Sequence, residues 1–195
     1  MPAAMTALVN KTIAYIEDLF RGNAGGHDAA HSLRVYRNAM KIAETEPEAD
    51  KEIVALAALL HDADDHKLFH TENNENTRSF LMKNRVPEET IDLICAAINA
   101  VSFSQNRGRR PDTIEGKIVQ DADRLDALGA IGIARTFAYG GEHGRPLHAS
   151  VQHFHDKLLL LKDAMNTESG RTLAEGRHAF LEAFLRELEE ETADY

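Results

Sequence analysis

The sequence predicts an all-α protein built as a single-domain helical bundle. Three observations favour that fold class. Apolar residues recur at helical spacing along most of the 195 residues, 43% of the chain is hydrophobic, and no stretch alternates convincingly between polar and apolar residues. A chain of this length suits one domain. We expect it to span residues 1–195, with a motif-bearing core at about 27–130 and C-terminal helices at about 150–191 packing on it.

The N-terminal half predicts three helices. The first carries the apolar residues from Leu8 to Phe20, and the second begins near Asp28. The third runs from about Ala49 to His61. Its residues Ile53 to Leu60 are apolar on every side, which is typical of a helix that is covered all round. This helix is therefore expected at the centre of the bundle.

Two shorter helices and a loop follow. The stretch TRSFLMKNR (77–85) predicts a short helix. Pro87 starts another, because proline fits the first turn of a helix. That helix is expected to end near Ser102, where the polar and basic loop SFSQNRGRRPD (102–112) begins.

The C-terminal half predicts one long helix, a glycine-rich loop and two final helices. The long helix begins at about Thr113 and contains KIVQDADRLDALGAIGIAR (117–135). Gly140, Gly141 and Gly144 are expected in a loop. Because the lysine and the spacing of a phosphate-binding P-loop are missing, these glycines are interpreted as turn residues. The final helices are expected at about 150–165 and 170–191.

Charge and composition exclude several classes of function. The formal net charge of −10 argues against stable nucleic-acid binding, which depends on cationic contacts to phosphates. A small anionic substrate stays open, because a local cation can outweigh the global sign. The single cysteine, Cys95, permits no disulfide within the chain. No apolar run suits a membrane span and the N-terminus does not suit a signal peptide, so we expect a cytoplasmic protein.

The stretch AALLHDADDH (57–66) ends a buried helix in histidine and aspartate, which are costly to desolvate without a partner. One way to stabilise such a pair is a shared divalent cation, since imidazole nitrogen and carboxylate oxygen both bind first-row metals. Two further candidates, His31 and Asp123, lie close to apolar helix faces. With His61 and Asp62 they predict a mononuclear site supplied by three helices. A second pair, His155–Asp156, lacks the preceding apolar run and is interpreted as coincidence.

This ordered set resembles the HD-domain superfamily of metal-dependent phosphohydrolases. The resemblance rests on HSLRV, AALLHD and DADRLDA around the four residues, and it extends over about residues 27–190. The later segments are similar to a bacterial branch of small HD hydrolases, some of which are nucleotide pyrophosphohydrolases. The resemblance implies an all-α bundle whose ligands are His31, His61, Asp62 and Asp123. It also implies one divalent ion, for which Mn²⁺, Co²⁺, Mg²⁺, Ni²⁺, Fe²⁺ and Zn²⁺ are candidates and Mn²⁺ is favoured.

Two residues are predicted to be catalytic. A bound divalent ion can lower the pKa of a water and polarise a phosphoryl oxygen, and a general base would orient or deprotonate that water. Asp65 would share the face of His61 and Asp62 on a continuing helix. The resemblance supports Asp65, since several HD hydrolases use an acid at this spacing, many of them Glu. Lys67, the cation closest in sequence to the site, would contact the phosphates of the substrate. The alternative for Asp65 is a helix-end carboxylate that faces solvent.

Candidate substrate contacts flank the predicted ligands. Arg34 lies three residues after His31, His27 lies four residues before it, and Arg124 follows Asp123. The two arginines would contact phosphate, and His27 would line the same pocket. A surface charge or an ion-pair partner is the plainer interpretation of each arginine.

Two further contacts are predicted. Asp126 would hold a ligand histidine or contact a sugar hydroxyl, with an ion-paired acid as the alternative. Arg109 lies with Arg107 and Arg110 in the basic loop, where cations on a flexible segment could close over a polyphosphate.

These features predict a divalent-metal-dependent phosphohydrolase that acts on a nucleotide or a related phosphate ester. In the pyrophosphohydrolase version, a (deoxy)nucleoside triphosphate yields the monophosphate and pyrophosphate. The alternatives are a nucleoside monophosphate phosphatase, cleavage of a cyclic or alarmone nucleotide, a non-catalytic metal- and nucleotide-binding sensor, and an oxidative diiron enzyme. A diiron site needs further histidine ligands, and no convincing second set exists. The expected partner is a small molecule, with no membrane, and the apolar C-terminal helices would support a homodimer.

Overall fold

The computed structural model describes residues 3–22, 28–66, 68–101 and 109–193. Every regular element within these ranges is a helix, which confirms the all-α fold class. The chain divides into two compact units, Met1–Asp123 and Arg124–Tyr195. The domain boundaries drawn from the sequence stay a prediction.

Within its described residues, the first unit contains five complete helices and most of a sixth. Their order follows the sequence expectation, and their bounds are α1 Ala3–Leu19, α2 Ala29–Ala43, α3 Lys51–Leu60, α4 Glu75–Lys83, α5 Glu88–Asn99 and α6 Ile114–Asp126.

Helix α3 is the core of the first unit. Helices α1, α2 and α5 all pack against it, and every residue from Ile53 to Leu60 is buried. The Asp50 side chain caps its first turn by accepting hydrogen bonds from the backbone N–H groups of Glu52 and Ile53. The prediction of a central helix that is covered all round is confirmed. The residues at its C-terminal end therefore lie inside the unit, where polar side chains need hydrogen-bond partners or a bound ion.

Truncating the core of α3 is expected to destabilise the protein. Leu56 is fully buried, and Leu56→Ala should lower the free energy of unfolding by about 2–5 kcal/mol, through lost apolar burial and the cavity left behind. Denaturant unfolding followed by circular dichroism measures the change. The matched control is Leu93→Ala on α5, where the leucine is 47% exposed and a much smaller change is expected. Equal effects of the two substitutions would contradict the central position of α3.

Helix α6 is tied to α2 by a hydrogen bond. The Asn38 side-chain amide donates to the carbonyl oxygen of Ala122 at 3.3 Å. This contact brings the helix that carries His31 beside the helix that carries Asp123. The end of α3, the start of α2 and the end of α6 thus supply the predicted ligands.

The second unit contains the remaining helices. They are α7 Gly129–Glu142, α8 Leu147–Asp156, a 3-10 helix Leu158–Leu160 and α9 Glu168–Thr192. Helix α7 packs against α8 and α9, and α8 packs against the 3-10 helix. Among the residues that the structure describes, no helix is both long and apolar enough to cross a bilayer.

The single long helix predicted from about Thr113 through Arg135 is wrong, because the chain breaks between α6 and α7. Gly129 has φ +69°, a left-handed conformation that glycine adopts readily and that interrupts a right-handed helix. A Cβ atom at Gly129 would also lie 3.2 Å from the Arg177 side chain. The break therefore depends on the backbone conformation of Gly129, which the spacing of apolar residues does not indicate.

Two other boundaries differ from the sequence expectation. Gly140 and Gly141 lie in the last turn of α7 rather than in a loop, and a Cβ at Gly140 would meet the Ser150 hydroxyl at 2.5 Å. The predicted helix at about 150–165 ends at Asp156, because Lys157 leaves the helical conformation with φ −139° and ψ −57°. The apolar run after Lys157 continues the periodicity but forms a 3-10 helix instead.

Candidate metal centre

His61 lies where α3 ends. It is the C-cap residue of the helix, and its Nδ1 is 2.9 Å from the carbonyl oxygen of Ala58. A carbonyl oxygen can only accept, so Nδ1 carries the proton and donates it. The neutral ring then leaves the lone pair of Nε2 directed away from the helix. This is the arrangement by which a backbone carbonyl orients a metal-ligating histidine.

His31 lies in the first turn of α2. The N-cap residue Asp28 accepts a hydrogen bond from the backbone N–H of His31 at 2.6 Å, which fixes the start of the helix. The Nε2 atoms of His31 and His61 are 3.2 Å apart, and the two rings meet edge to face. Each side chain is only 3% exposed. Two imidazoles are thus directed at one point inside the protein.

Two carboxylates complete the cluster. Asp62 Oδ2 lies 3.5 Å from His31 Nε2 and 3.4 Å from His61 Nε2. Asp123 Oδ1 lies 3.4 Å and 3.9 Å from the same two nitrogens. One ligand atom each from His31, His61 and Asp123 lies within 4.8 Å of the other two. The structure therefore brings together the four residues that the sequence selected.

The distances and the donor set fit a divalent ion. Ligand atoms bound about 2.0–2.2 Å from one ion, at angles of about 90–109°, lie about 2.8–3.6 Å apart. Four of the five distances from the two Nε2 atoms to their neighbours, 3.2–3.5 Å, fall in this range. The fifth, from His61 Nε2 to Asp123 Oδ1 at 3.9 Å, requires a wider angle at the ion. Two nitrogens and two carboxylate oxygens also match the ligand preferences of first-row divalent metals.

The electrostatics of the cluster keep Asp123 ionised. Burial raises the pKa of this carboxyl group, but the hydrogen bond with His31 and, when the rings are protonated, the charges of His31 and His61 hold its pKa below the ordinary value. Asp123 is therefore a carboxylate at neutral pH, the form that binds a cation.

Comparison with known proteins now decides the family. The family model for the HD domain matches residues 28–128, a range that includes all four residues of the cluster. The chain belongs to the HD domain family. The Bacillus subtilis protein YpgQ is 42% identical over 186 residues, which are 91% of this chain and 90% of YpgQ.

Solved structures agree with this HD assignment. The crystal structure of Bacillus subtilis YpgQ in complex with ADP has a TM-score of 0.83 to this chain and is 36% identical, with 96% of each chain covered. An HD-superfamily hydrolase from Bacillus thuringiensis has a TM-score of 0.79 and 39% identity, covering 96% of this chain and 97% of that one. This HD protein is accordingly a metal-dependent phosphohydrolase, as the sequence predicted.

Asp64 has a role in the HD site that the sequence did not reveal. Its carboxylate accepts hydrogen bonds from the backbone N–H groups of Asn76 and Thr77 at 2.8 and 3.0 Å. In return, the Asn76 side-chain amide donates to the carbonyl oxygen of Ala63 at 2.8 Å. Asn74, the N-cap of α4, makes no side-chain cap bond. Asp64 therefore caps α4 from outside that helix, and the exchange fixes the backbone between Asp62 and Asp65.

Asp65 lies beyond α3, which ends at Leu60. The continuing helix from which its position was predicted is therefore wrong. A turn places it instead, since its backbone N–H donates to the carbonyl oxygen of Asp62 at 3.1 Å. Its side chain is 16% exposed and lies 4.0 Å from His66 Nδ1. The role of Asp65 as a general base stays a prediction.

The three predicted substrate contacts Arg34, Arg124 and Asp126 differ in their burial and in their hydrogen-bond partners. Arg34 lies one turn after His31 on α2 and is half-buried. Arg124 is buried, and its guanidinium donates to the carbonyl oxygen of Ala164. Asp126 is buried and accepts from Arg135 Nη1 at 2.7 Å. The ion-pair alternative weighed for Asp126 is thus present, and the substrate roles of all three residues stay predictions.

Arg109 is exposed, and its carbonyl oxygen accepts a hydrogen bond from Gln120. Its substrate role likewise stays a prediction. His27, Lys67 and Arg107 lie outside the residues that the structure describes.

Proposed function

We propose that this HD protein hydrolyses nucleotides, and that His31, His61, Asp62 and Asp123 hold its divalent ion. The observation that carries the proposal is the convergence of two buried imidazoles and two carboxylates from three helices on one point. The nucleotide assignment is supported by YpgQ, which is similar over nearly the whole chain and was crystallised with ADP. The proposed reaction converts a (deoxy)nucleoside triphosphate to the monophosphate and pyrophosphate, with Mn²⁺ as the favoured ion.

A divalent ion bound by these four groups would neutralise phosphate charge and make a water molecule more acidic. Asp65 is proposed to accept the proton of the attacking water at a carboxylate oxygen. A new bond joins the water oxygen to the α-phosphorus, and the bond from that phosphorus to the bridging oxygen breaks. The released pyrophosphate leaves with the electron pair of that bond.

The chain supplies orientation as well as ligands. The Ala58 carbonyl holds the proton of His61 on Nδ1, so the ring presents its lone pair without rearrangement. The exchange between Asp64 and Asn76 holds the turn that carries Asp62 and Asp65. Arg34 and Arg109 are proposed to bind the phosphate chain, since a guanidinium matches phosphate geometry.

The proposed function is tested with a nucleotide panel. Purified protein with added Mn²⁺ or Co²⁺ is incubated with nucleoside mono-, di- and triphosphates, and the products are separated by chromatography. Monophosphate and pyrophosphate from a triphosphate is the expected result. Inorganic phosphate from a monophosphate would replace it with the phosphatase alternative. Bound metal without turnover of any nucleotide would overturn the proposal that nucleotides are its substrates.

The metal content is expected to be one divalent ion per chain. All four groups of the cluster are directed at one point, so a single ion satisfies them. Elemental analysis of protein dialysed against Mn²⁺ measures the ratio, with chelator-treated protein as the blank. Two tightly held ions per chain would contradict the mononuclear site and revive the diiron alternative.

A further inference from the structure

One face of α6 leads to the metal centre. Gly116, Gln120 and Asp123 occupy positions i, i+4 and i+7 of this helix, and residues at that spacing lie on one side. Asp123 belongs to the cluster described above. Gln120 is only 1% exposed, so its polar side chain must find hydrogen-bond partners inside the protein.

The segment from Arg109 to Pro111 lies along the first two positions of this face. Pro111 packs against Gly116 so closely that a Cβ at Gly116 would lie 2.9 Å from the Pro111 Cβ. Two residues earlier, the Arg109 carbonyl oxygen accepts a hydrogen bond from Gln120 Nε2 at 3.3 Å. The segment therefore runs opposite to α6, with Pro111 at the first position of the face and Arg109 at the second. The third position is Asp123.

Gln120 also holds the chain just after α5. The same Nε2 group donates to the carbonyl oxygen of Ala100 at 2.9 Å, just after the end of α5. Its two amide hydrogens are thus directed at Ala100, before the basic loop, and at Arg109, within that loop. Because a helix rises 1.5 Å per residue, Gln120 and Asp123 are about 4.5 Å apart along the helix axis. Gln120 therefore ties the backbone of Arg109 to the helix that carries Asp123, about one turn before that residue, while the Arg109 side chain is exposed.

We propose that Gln120 is a positioning residue that sets Arg109 to bind the outer phosphates of a nucleoside triphosphate. The metal centre itself contributes two carboxylates, and the chain carries a net charge of −10. The outer phosphates therefore need a local cation, and guanidinium hydrogen bonds to phosphate are strong. The inference rests on the proposed function and deepens it, because it makes Gln120 and Arg109 determinants of selectivity for triphosphates over monophosphates.

Binding measurements on the metal-loaded protein test this inference. The probes are a fluorescent non-hydrolysable nucleoside triphosphate and the matching monophosphate. Arg109→Gln is expected to raise the Kd of the triphosphate about 10- to 100-fold, the range for a charge-assisted hydrogen bond, with the monophosphate Kd within about twofold of wild type. Arg186→Gln, at an exposed arginine on α9, is the matched control and should change neither Kd.

A double-mutant cycle tests the role of Gln120. Gln120→Met keeps the side-chain length but removes the amide, and it is expected to raise the triphosphate Kd while metal content stays at the wild-type value. In the double variant, Gln120→Met should add nothing to the effect of Arg109→Gln, because it acts through that residue. A multiplied effect would show that Gln120 does not act through Arg109, and would overturn the positioning role.

The remaining outcomes separate this inference from the proposed function. If Gln120→Met fails to fold, Arg109→Gln still tests the phosphate assignment, because its side chain is exposed. An unchanged triphosphate Kd, or equal losses for both probes, in Arg109→Gln would overturn the inference while leaving nucleotide hydrolysis intact. Wild-type protein that binds neither probe would instead overturn the proposed function.

Discussion

His61→Ala is expected to remove metal binding and hydrolysis together. His61 supplies a buried imidazole nitrogen to the cluster, 3.2 Å from the nitrogen of His31. Losing a hydrogen-bond partner of a metal ligand already costs about 10–100-fold in metal affinity or activity, so losing the ligand itself should cost more than about 100-fold. Metal affinity from a competition titration, and nucleotide turnover at a fixed Mn²⁺ concentration, measure the two effects.

His155→Ala is the matched control. His155 and Asp156 form a second His–Asp pair in the sequence, but His155 is exposed on α8. The substitution is expected to leave metal affinity and turnover unchanged. Full metal binding by His61→Ala, with circular dichroism showing a folded protein, would contradict the assignment of the centre.

Asp65→Asn is expected to separate metal binding from turnover. The amide has nearly the shape of the carboxylate, but it cannot accept a proton from water. Positioned acid–base groups contribute about 10²–10⁴-fold to rate, so kcat should fall by that factor while metal content stays at one ion per chain. Single-turnover kinetics on metal-loaded protein measure the loss.

Asp65→Glu completes this experiment, because many HD hydrolases that the chain resembles carry Glu at this spacing. The longer carboxylate is expected to keep a large part of the wild-type rate. Full turnover in Asp65→Asn would show that another group accepts the proton. Loss of metal in that variant would instead make Asp65 a ligand.

The fold class and the clustering of the two histidines and two aspartates could be predicted because their signals lie in short stretches of sequence. Ile53 to Leu60 are apolar on every side, and a helix with that pattern must be buried. A histidine and an aspartate directly after such a helix are then forced into the interior. The positions of His31 and Asp123 near apolar helix faces follow the same logic.

The features that the sequence did not predict depend on contacts between distant parts of the chain. The break at Gly129 depends on a left-handed backbone conformation and on the nearby Arg177 side chain. Asp64 caps α4 by reaching Asn76 and Thr77, and no spacing rule connects it to them. A helical extension to Asp65 was expected because its spacing from His61 suits one. The general preference for Asp at helix N-termini does not indicate this role, because Asp64 lies ten residues before the N-cap position Asn74.

The distance in sequence between His31 and Asp123 has a consequence for the life of the protein in the cell. An ion that binds both of them links two distant parts of the chain in the folded state only. It would therefore stabilise the folded first unit for as long as it stays bound. At a free metal concentration one hundred times the Kd, such linkage adds about 2.7 kcal/mol to stability. Metal starvation would therefore do more than stop hydrolysis. It would leave a population that opens more often and that proteases remove sooner.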